Sequence, residues 1–113
     1  MNLIEKIGMT ALHKFDPETA HKLAPEDSYI LDSLGWVLFR LGRHEEALEA
    51  LKKANGIPDY EDSTLLEHQG DVHQALQQAD DAKQLWQKAI EVEEKESGPD
   101  KAVLKRLREK LGR

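Results

Sequence analysis

Cysteine is absent from this 113-residue chain. That removes disulfides, thiolate nucleophiles and thiolate metal sites, and it fits either the cytosol or the periplasm. Aromatic residues make up only 5%, so the core must be aliphatic, built from Leu, Ala, Ile and Val. Val and Thr are themselves sparse, and no stretch alternates apolar and polar residues for long, which argues against strands. No apolar run approaches the length that spans a bilayer; the longest, Leu34 to Phe39, contains a glycine. The N-terminus lacks a basic start, an apolar stretch and a small-residue cleavage site, so no signal peptide is expected. Cytoplasmic placement follows as the expectation, or periplasmic if the chain is part of a larger exported protein. Neither a glycine-rich phosphate loop nor a Ser, His and carboxylate set at nucleophile spacing is found. No catalytic residue and no cofactor are therefore expected.

What the chain has in quantity is charge, 34% of residues for a net −6. Residues 1–24 balance, residues 25–99 carry 7 basic and 17 acidic side chains, and residues 100–113 carry 6 basic and 2 acidic. An acidic body repels phosphates, so nucleic acid is not an expected partner. The basic C-terminal end is expected to pair with the acidic stretch Glu93 to Glu96, which otherwise reads as a solvated face. The five histidines do not make a metal site. His68 and His73 are splayed across a helix, His13 and His21 straddle a proline, and His44 sits at a helix start.

The stretch from Ser28 to Val92 is one motif written twice. Gly70, Ala82, Trp86 and Ala89 each fall 35 residues after Gly35, Ala47, Leu51 and Ala54. A constant offset at four points marks a repeated structural unit. Such helix pairs cannot bury their apolar faces alone, so they stack and leave extended binding surfaces.

Helical spacing runs almost throughout. Leu3, Ile4, Ile7, Ala11, Leu12 and Phe15 form a first apolar stripe. Asp16-Pro17-Glu18 then ends one helix and starts a short second one, which Pro25 closes. Asp27 or Ser28 is expected to cap the next helix, and Gly42 to end it in a left-handed turn. Arg43 or His44 begins its partner, which stops at Asn55-Gly56. The second unit repeats this plan with Leu65, Leu66, Val72 and Leu76, then Ala82, Leu85, Trp86, Ala89 and Ile90. After the break at Ser97-Gly98-Pro99, Asp100 caps a last helix with Val103, Leu104, Leu107 and Leu111 on one face. The expected organisation is an N-terminal helical segment at 1–24, repeats at 28–61 and 62–96, and a capping helix at 99–111.

The two units resemble tetratricopeptide repeats, helix–turn–helix modules with a period of about 34 residues. The resemblance covers about residues 28–95. Leu34-Gly35 stand for the family's Leu-Gly pair, Gly42 for its turn glycine, Ala47 and Ala54 for its small second-helix residues, and Pro58, one position early, for its terminal proline. The second unit is more degenerate: Gln69-Gly70 replaces Leu-Gly, and Gln77 takes the turn-glycine position, which leaves the sharpness of that turn open. The resemblance implies an all-α, right-handed solenoid fragment of helix–turn–helix repeats with a C-terminal capping helix. Asp32-Ser33-Leu34-Gly35-Trp36 followed by a degenerate unit is also similar to the C-terminal end of longer bacterial repeat proteins, which implies a truncated array.

In this family the first helix of each unit lines the concave, ligand-binding face. The matching positions here are Tyr29, Asp32, Ser33, Trp36, Phe39 and Arg40, then Thr64, Glu67, His68, Asp71 and Gln74. The first group is aromatic and the second polar and acidic, which implies a peptide or partner protein with apolar anchors and a basic group. Trp36 and Phe39 either line an open groove or pack beneath residues 1–24. The basic clamp with which some family members hold acidic chaperone tails is missing, because its positions carry Asp32, Trp36, Thr64 and His68.

Phe15-Asp16-Pro17-Glu18-Thr19-Ala20-His21 is similar to a segment in the N-terminal helical extension of quinone-linked dihydroorotate dehydrogenases, which contacts the membrane. The barrel of that family is wholly absent, so no catalytic residue carries over. A protein-interaction scaffold is the leading expectation. A membrane-associating module acting through the first helix, and a self-associating structural unit, are the alternatives.

Overall fold

The structure, a computed structural model, describes residues 25–57 and 60–113. The helices expected within residues 1–24 and the proline at 58 lie outside the described residues. Among the described residues five helices follow one another: α1 (Pro25–Arg40), α2 (His44–Asn55), α3 (Ser63–Ala75), α4 (Ala79–Glu94) and α5 (Lys101–Lys110). Among the described residues there is no strand. The chain divides into two compact units after Tyr60. In the first, α1 packs on α2; in the second, α3 packs on α4 and α5 packs on α4.

Unit 1 is a helical hairpin. α1 starts at Pro25, earlier than the cap expected at Asp27 or Ser28, and both of those residues sit inside its first turn. Proline's fixed φ and missing N–H suit the first helical position, so the residue read as a terminator is an initiator. Ser28 is fully buried there. At the far end Gly42 adopts φ +80°. The Arg43 N–H then reaches the Leu38 carbonyl at 2.9 Å and the Gly42 N–H reaches the Phe39 carbonyl at 3.0 Å. This double closure satisfies carbonyls that the helix end would otherwise leave bare. Leu31, Leu34 and Leu38 of α1 and Ala47, Ala50, Leu51 and Ala54 of α2 are buried. Close approach is built in: a Cβ on Gly35 would lie 2.8 Å from Leu51 Cγ. α2 carries Glu45 and Glu46 in its first turn and Lys52 and Lys53 in its last, which complements its dipole at both ends.

Unit 2 repeats the hairpin with different residues. Gln77 takes the turn-glycine position at φ 62°. The Gln78 N–H reaches the His73 carbonyl at 2.9 Å and the Gln77 N–H reaches the Gln74 carbonyl at 3.0 Å. The turn is therefore as tight as the one at Gly42, although a side chain must sit in the left-handed region. Asp62 caps α3, its Oδ1 accepting the Thr64 and Leu65 N–H groups at 2.8 and 3.2 Å. The core of this unit contains Leu66, Ala82, Trp86, Ala89, Ile90 and Val92, and Leu104 and Leu107 of α5 join it. Asp100 caps α5 by accepting from the Ala102 and Val103 N–H groups at 2.9 and 3.3 Å. Gly112, at φ +80°, closes its end, with the Arg113 N–H on the Arg108 carbonyl at 2.9 Å.

Glu93 departs from the solvated reading. Its side chain accepts from Ser63 Oγ at 2.6 Å and from the Asp100 N–H at 3.0 Å. It thus ties the start of α3 to the start of α5.

Candidate partner-binding site

Helix α1 is two-sided. With Leu31, Leu34, Gly35 and Leu38 buried, the 3.6-residue period turns Tyr29, Ser33, Trp36 and Arg40 to the opposite side. Tyr29 is 61% exposed; Ser33 and Arg40 are exposed, while Asp32, Trp36 and Phe39 are half-buried. The Trp36 and Phe39 rings stack, with centroids 5.2 Å apart and planes inclined at 24°. His44, across the turn, adds a third ring 5.2 Å from Phe39. Sequence reading missed His44 as a member of this row. The available signal was its position five residues after Phe39, immediately past the turn at Gly42-Arg43. On the neighbouring flank Ile30 and Leu41 are 47% and 48% exposed, large apolar side chains on the same helix and its end.

The acidic positions of α3 do something else. The Glu67 side chain is only 3% exposed. It accepts from Arg106 twice, Nε to Oε2 at 2.6 Å and Nη2 to Oε1 at 2.7 Å, and from Lys110 Nζ at 2.8 Å. Asp71, one turn further on, accepts from Lys110 Nζ at 2.8 and 3.0 Å and from Trp86 Nε1 at 3.1 Å. The Lys110 ammonium also stands 5.9 Å from the Trp86 ring centroid, within cation–π range. Two carboxylates one helical turn apart thus face two cations one turn apart, in charge-assisted and partly bidentate geometry. Burial pushes the Glu67 carboxyl up, but the hydrogen bonds and charges of Arg106 and Lys110 outweigh it and hold the group below its ordinary range. The Glu67 hydrogen bond raises the Arg106 guanidinium in turn.

Two expectations change accordingly. The basic face of α5 pairs with α3 through Arg106 and Lys110, whereas Glu93 of the acidic stretch is engaged by Ser63 and the Asp100 backbone. Glu67 and Asp71, expected to meet a partner's basic group, are neutralised within unit 2. Thr64 and Gln74 on the same helix are exposed and His68 is half-buried. His73 is buried with Nδ1 2.6 Å from Gln78 Oε1. Among the described residues no three His, Cys, Asp or Glu side chains come together as a metal site. No helix of the described residues is long and apolar enough to cross a membrane.

Comparison with known proteins bears on unit 1 most directly. The Tetratricopeptide repeat family matches residues 29–54, which run from the exposed tyrosine of α1 to the last buried alanine of α2. A TPR repeat-containing protein of Pseudomonas aeruginosa is 46% identical over 43 residues, 37% of this chain and 7% of that protein. The chain therefore spans a small part of the length of that relative. The repeated hairpins, the close approach of Gly35 to Leu51 and the match over residues 29–54 agree, and the chain has an all-α, tetratricopeptide-like helical fold.

Proposed function

We propose that this chain is a protein-interaction scaffold that recognises a peptide or partner protein through α1 of its first repeat. Tetratricopeptide repeats are generally protein-interaction modules without catalytic activity of their own, and this supports the reading. The observation that carries it is the side of α1 turned away from the hairpin core, where a 61%-exposed Tyr29 continues into Ser33, Trp36 and Arg40. A tyrosine or tryptophan desolvates a large area with few rotors to freeze, which is why such residues anchor interfaces. Asp32, Phe39 and His44 flank this stripe. The ligand that fits is a segment with apolar anchors spaced to meet Tyr29 and Trp36, beside an acidic group within reach of Arg40. A basic group in the ligand has lost its support, because Glu67 and Asp71 are already neutralised.

Peptide-display selection on the intact chain tests this. An enriched motif with apolar anchors is expected, and its affinity should fall at least about fivefold in Tyr29→Ala and again in Arg40→Ala, as loss of an interface anchor costs more than about 1 kcal/mol. Both side chains are exposed, so neither change should alter the helical circular dichroism. Undiminished binding by both variants, or selection without an enriched motif, overturns the proposal.

A further inference from the structure

We propose that the α3–α4 face of unit 2 is a receptor for a basic amphipathic helix, and that α5 is its tethered occupant. This is independent of the stripe on α1. The face has the two parts of a helix-binding groove. Its floor is apolar, where Leu66, Trp86 and Ile90 share a core with Leu104 and Leu107 of α5. Its rim is acidic, where Glu67 and Asp71 take Arg106 and Lys110 at 2.6–3.0 Å. The complementary pattern on α5 is short: Leu104, Arg106, Leu107 and Lys110, or Leu-x-Arg-Leu-x-x-Lys. Any helix with that pattern presents the same two leucines and the same two cations at the same heights.

The attachment of α5 suits exchange. Residues 94–100 are exposed throughout, and a Cβ on Gly98 would meet nothing within 4 Å. Arg106 keeps 49% of its side chain in solvent while gripping Glu67, so water can reach the pair as it opens. α5 is only 10 residues long, too short to be helical by itself in water, so leaving the face and losing helicity are one event. The receptor's carboxylates are the counterpart: Glu67 and Asp71 take two cations of α5, and a guest carrying the same two cations can make the same pairs. Tethering gives α5 an effective concentration of roughly millimolar. A guest in trans therefore binds well only when α5 is weakened or outcompeted, which makes α5 an autoinhibitory segment for this face.

A labelled synthetic peptide of residues 99–113 is the probe, followed by fluorescence anisotropy against the intact chain. Arg106→Glu/Lys110→Glu should repel α5 from Glu67 and Asp71 and bind the peptide at least tenfold more tightly than the unaltered chain. Adding Glu67→Lys/Asp71→Lys should abolish that gain by restoring the internal pairs with reversed sign. If the charge-reversed chain does not fold, Arg106→Ala/Lys110→Ala takes its place. Hydrogen exchange on the unaltered chain gives a second readout. Amides of 101–110 should exchange at least tenfold faster than those of the α4 core around Ala89 and Ile90. Failure of the peptide to bind any folded variant, or exchange of α5 at the α4 rate, overturns the proposal.

Discussion

A methyl group on Gly70 would place its carbon 2.5 Å from Nε1 of Trp86. The indole lies across the bare backbone of α3, and Asp71, the next residue, accepts its N–H at 3.1 Å. The same relationship holds in the first repeat with smaller parts, since a Cβ on Gly35 would meet Leu51 Cγ at 2.8 Å. In both hairpins the glycine sets how closely two helices approach, and the residue pressed against it sets what fills the gap.

Gly70→Ala is therefore expected to destabilise the fold by about 1–3 kcal/mol, the usual range for overpacking. In an open helix the change would stabilise by roughly 0.5–1 kcal/mol, but here the clash wins. Gly35→Ala should cost less, because a leucine has a second rotamer to retreat into while the indole is rigid and pinned by Asp71. Urea unfolding of the two variants checks the order; a raised midpoint for Gly70→Ala would contradict it.

The two turns make a matched pair of substitutions. A side chain in the left-handed region costs about 1–2 kcal/mol, and the added freedom of glycine in the unfolded chain returns roughly 0.4–1 kcal/mol of that. Gln77→Gly should then stabilise by about 0.5–1 kcal/mol. Gly42→Ala should destabilise by about 0.5–1 kcal/mol after the same offset, and since nothing lies within 4 Å of its would-be Cβ, no clash adds to it. Thermal melts of both variants, monitored by circular dichroism, should move in opposite directions.

Glu67 gives the fold an acid-sensitive element. Its carboxyl is held below the ordinary value of 4.5 in the folded chain, so the folded state favours the ionised form. That stability is fully present above the unfolded value and is lost as pH falls through the lower, folded one. Glu67→Gln should cost roughly 1–3 kcal/mol near neutral pH, as for hydrogen bonds to charged groups. The difference from the unaltered chain should shrink below about pH 4.5 as the carboxylate takes up its proton. Urea unfolding at several pH values between about 3 and 7 tests the convergence; a difference independent of pH would refute it.

Much of the fold is legible in the residues because it depends on short-range chemistry. Gly42 and Asp100 announce a turn and a cap through properties of single residues, and the 35-residue offset places Gly70 against Trp86 by analogy with Gly35 and Leu51. Gln77 is legible only by register, since glutamine does not favour a positive φ; the hydrogen bonds on either side impose it. Pro25 was ambiguous because proline both ends helices and opens them, and the choice depends on the neighbouring chain. The pairing of α5 could not be read at all. Counting charges sends its cations to the nearest run of acids, Glu93 to Glu96. Only the packing of three helices shows that Glu67 and Asp71 lie opposite Arg106 and Lys110, and that Glu93 is occupied by Ser63 and Asp100. The proposed stripe on α1 was expected only through the resemblance to tetratricopeptide repeats, and the pairing of the α3 carboxylates with α5 depends on contacts that span the whole unit.

The connections inside unit 2 differ greatly in how much chain they enclose. Trp86 reaches Asp71 across 15 residues, but Arg106 and Lys110 reach Glu67 across 39 and 43. Closing the larger loops costs more entropy, and that cost must be met before the contacts return anything. On loop length alone, the α3–α4 contact is expected to form at a lower entropy cost than the ionic clasp to α5. During synthesis Glu67 of the half-built repeat would wait for its counter-ions until residues 106–110 had left the ribosome, and only then be closed off by them.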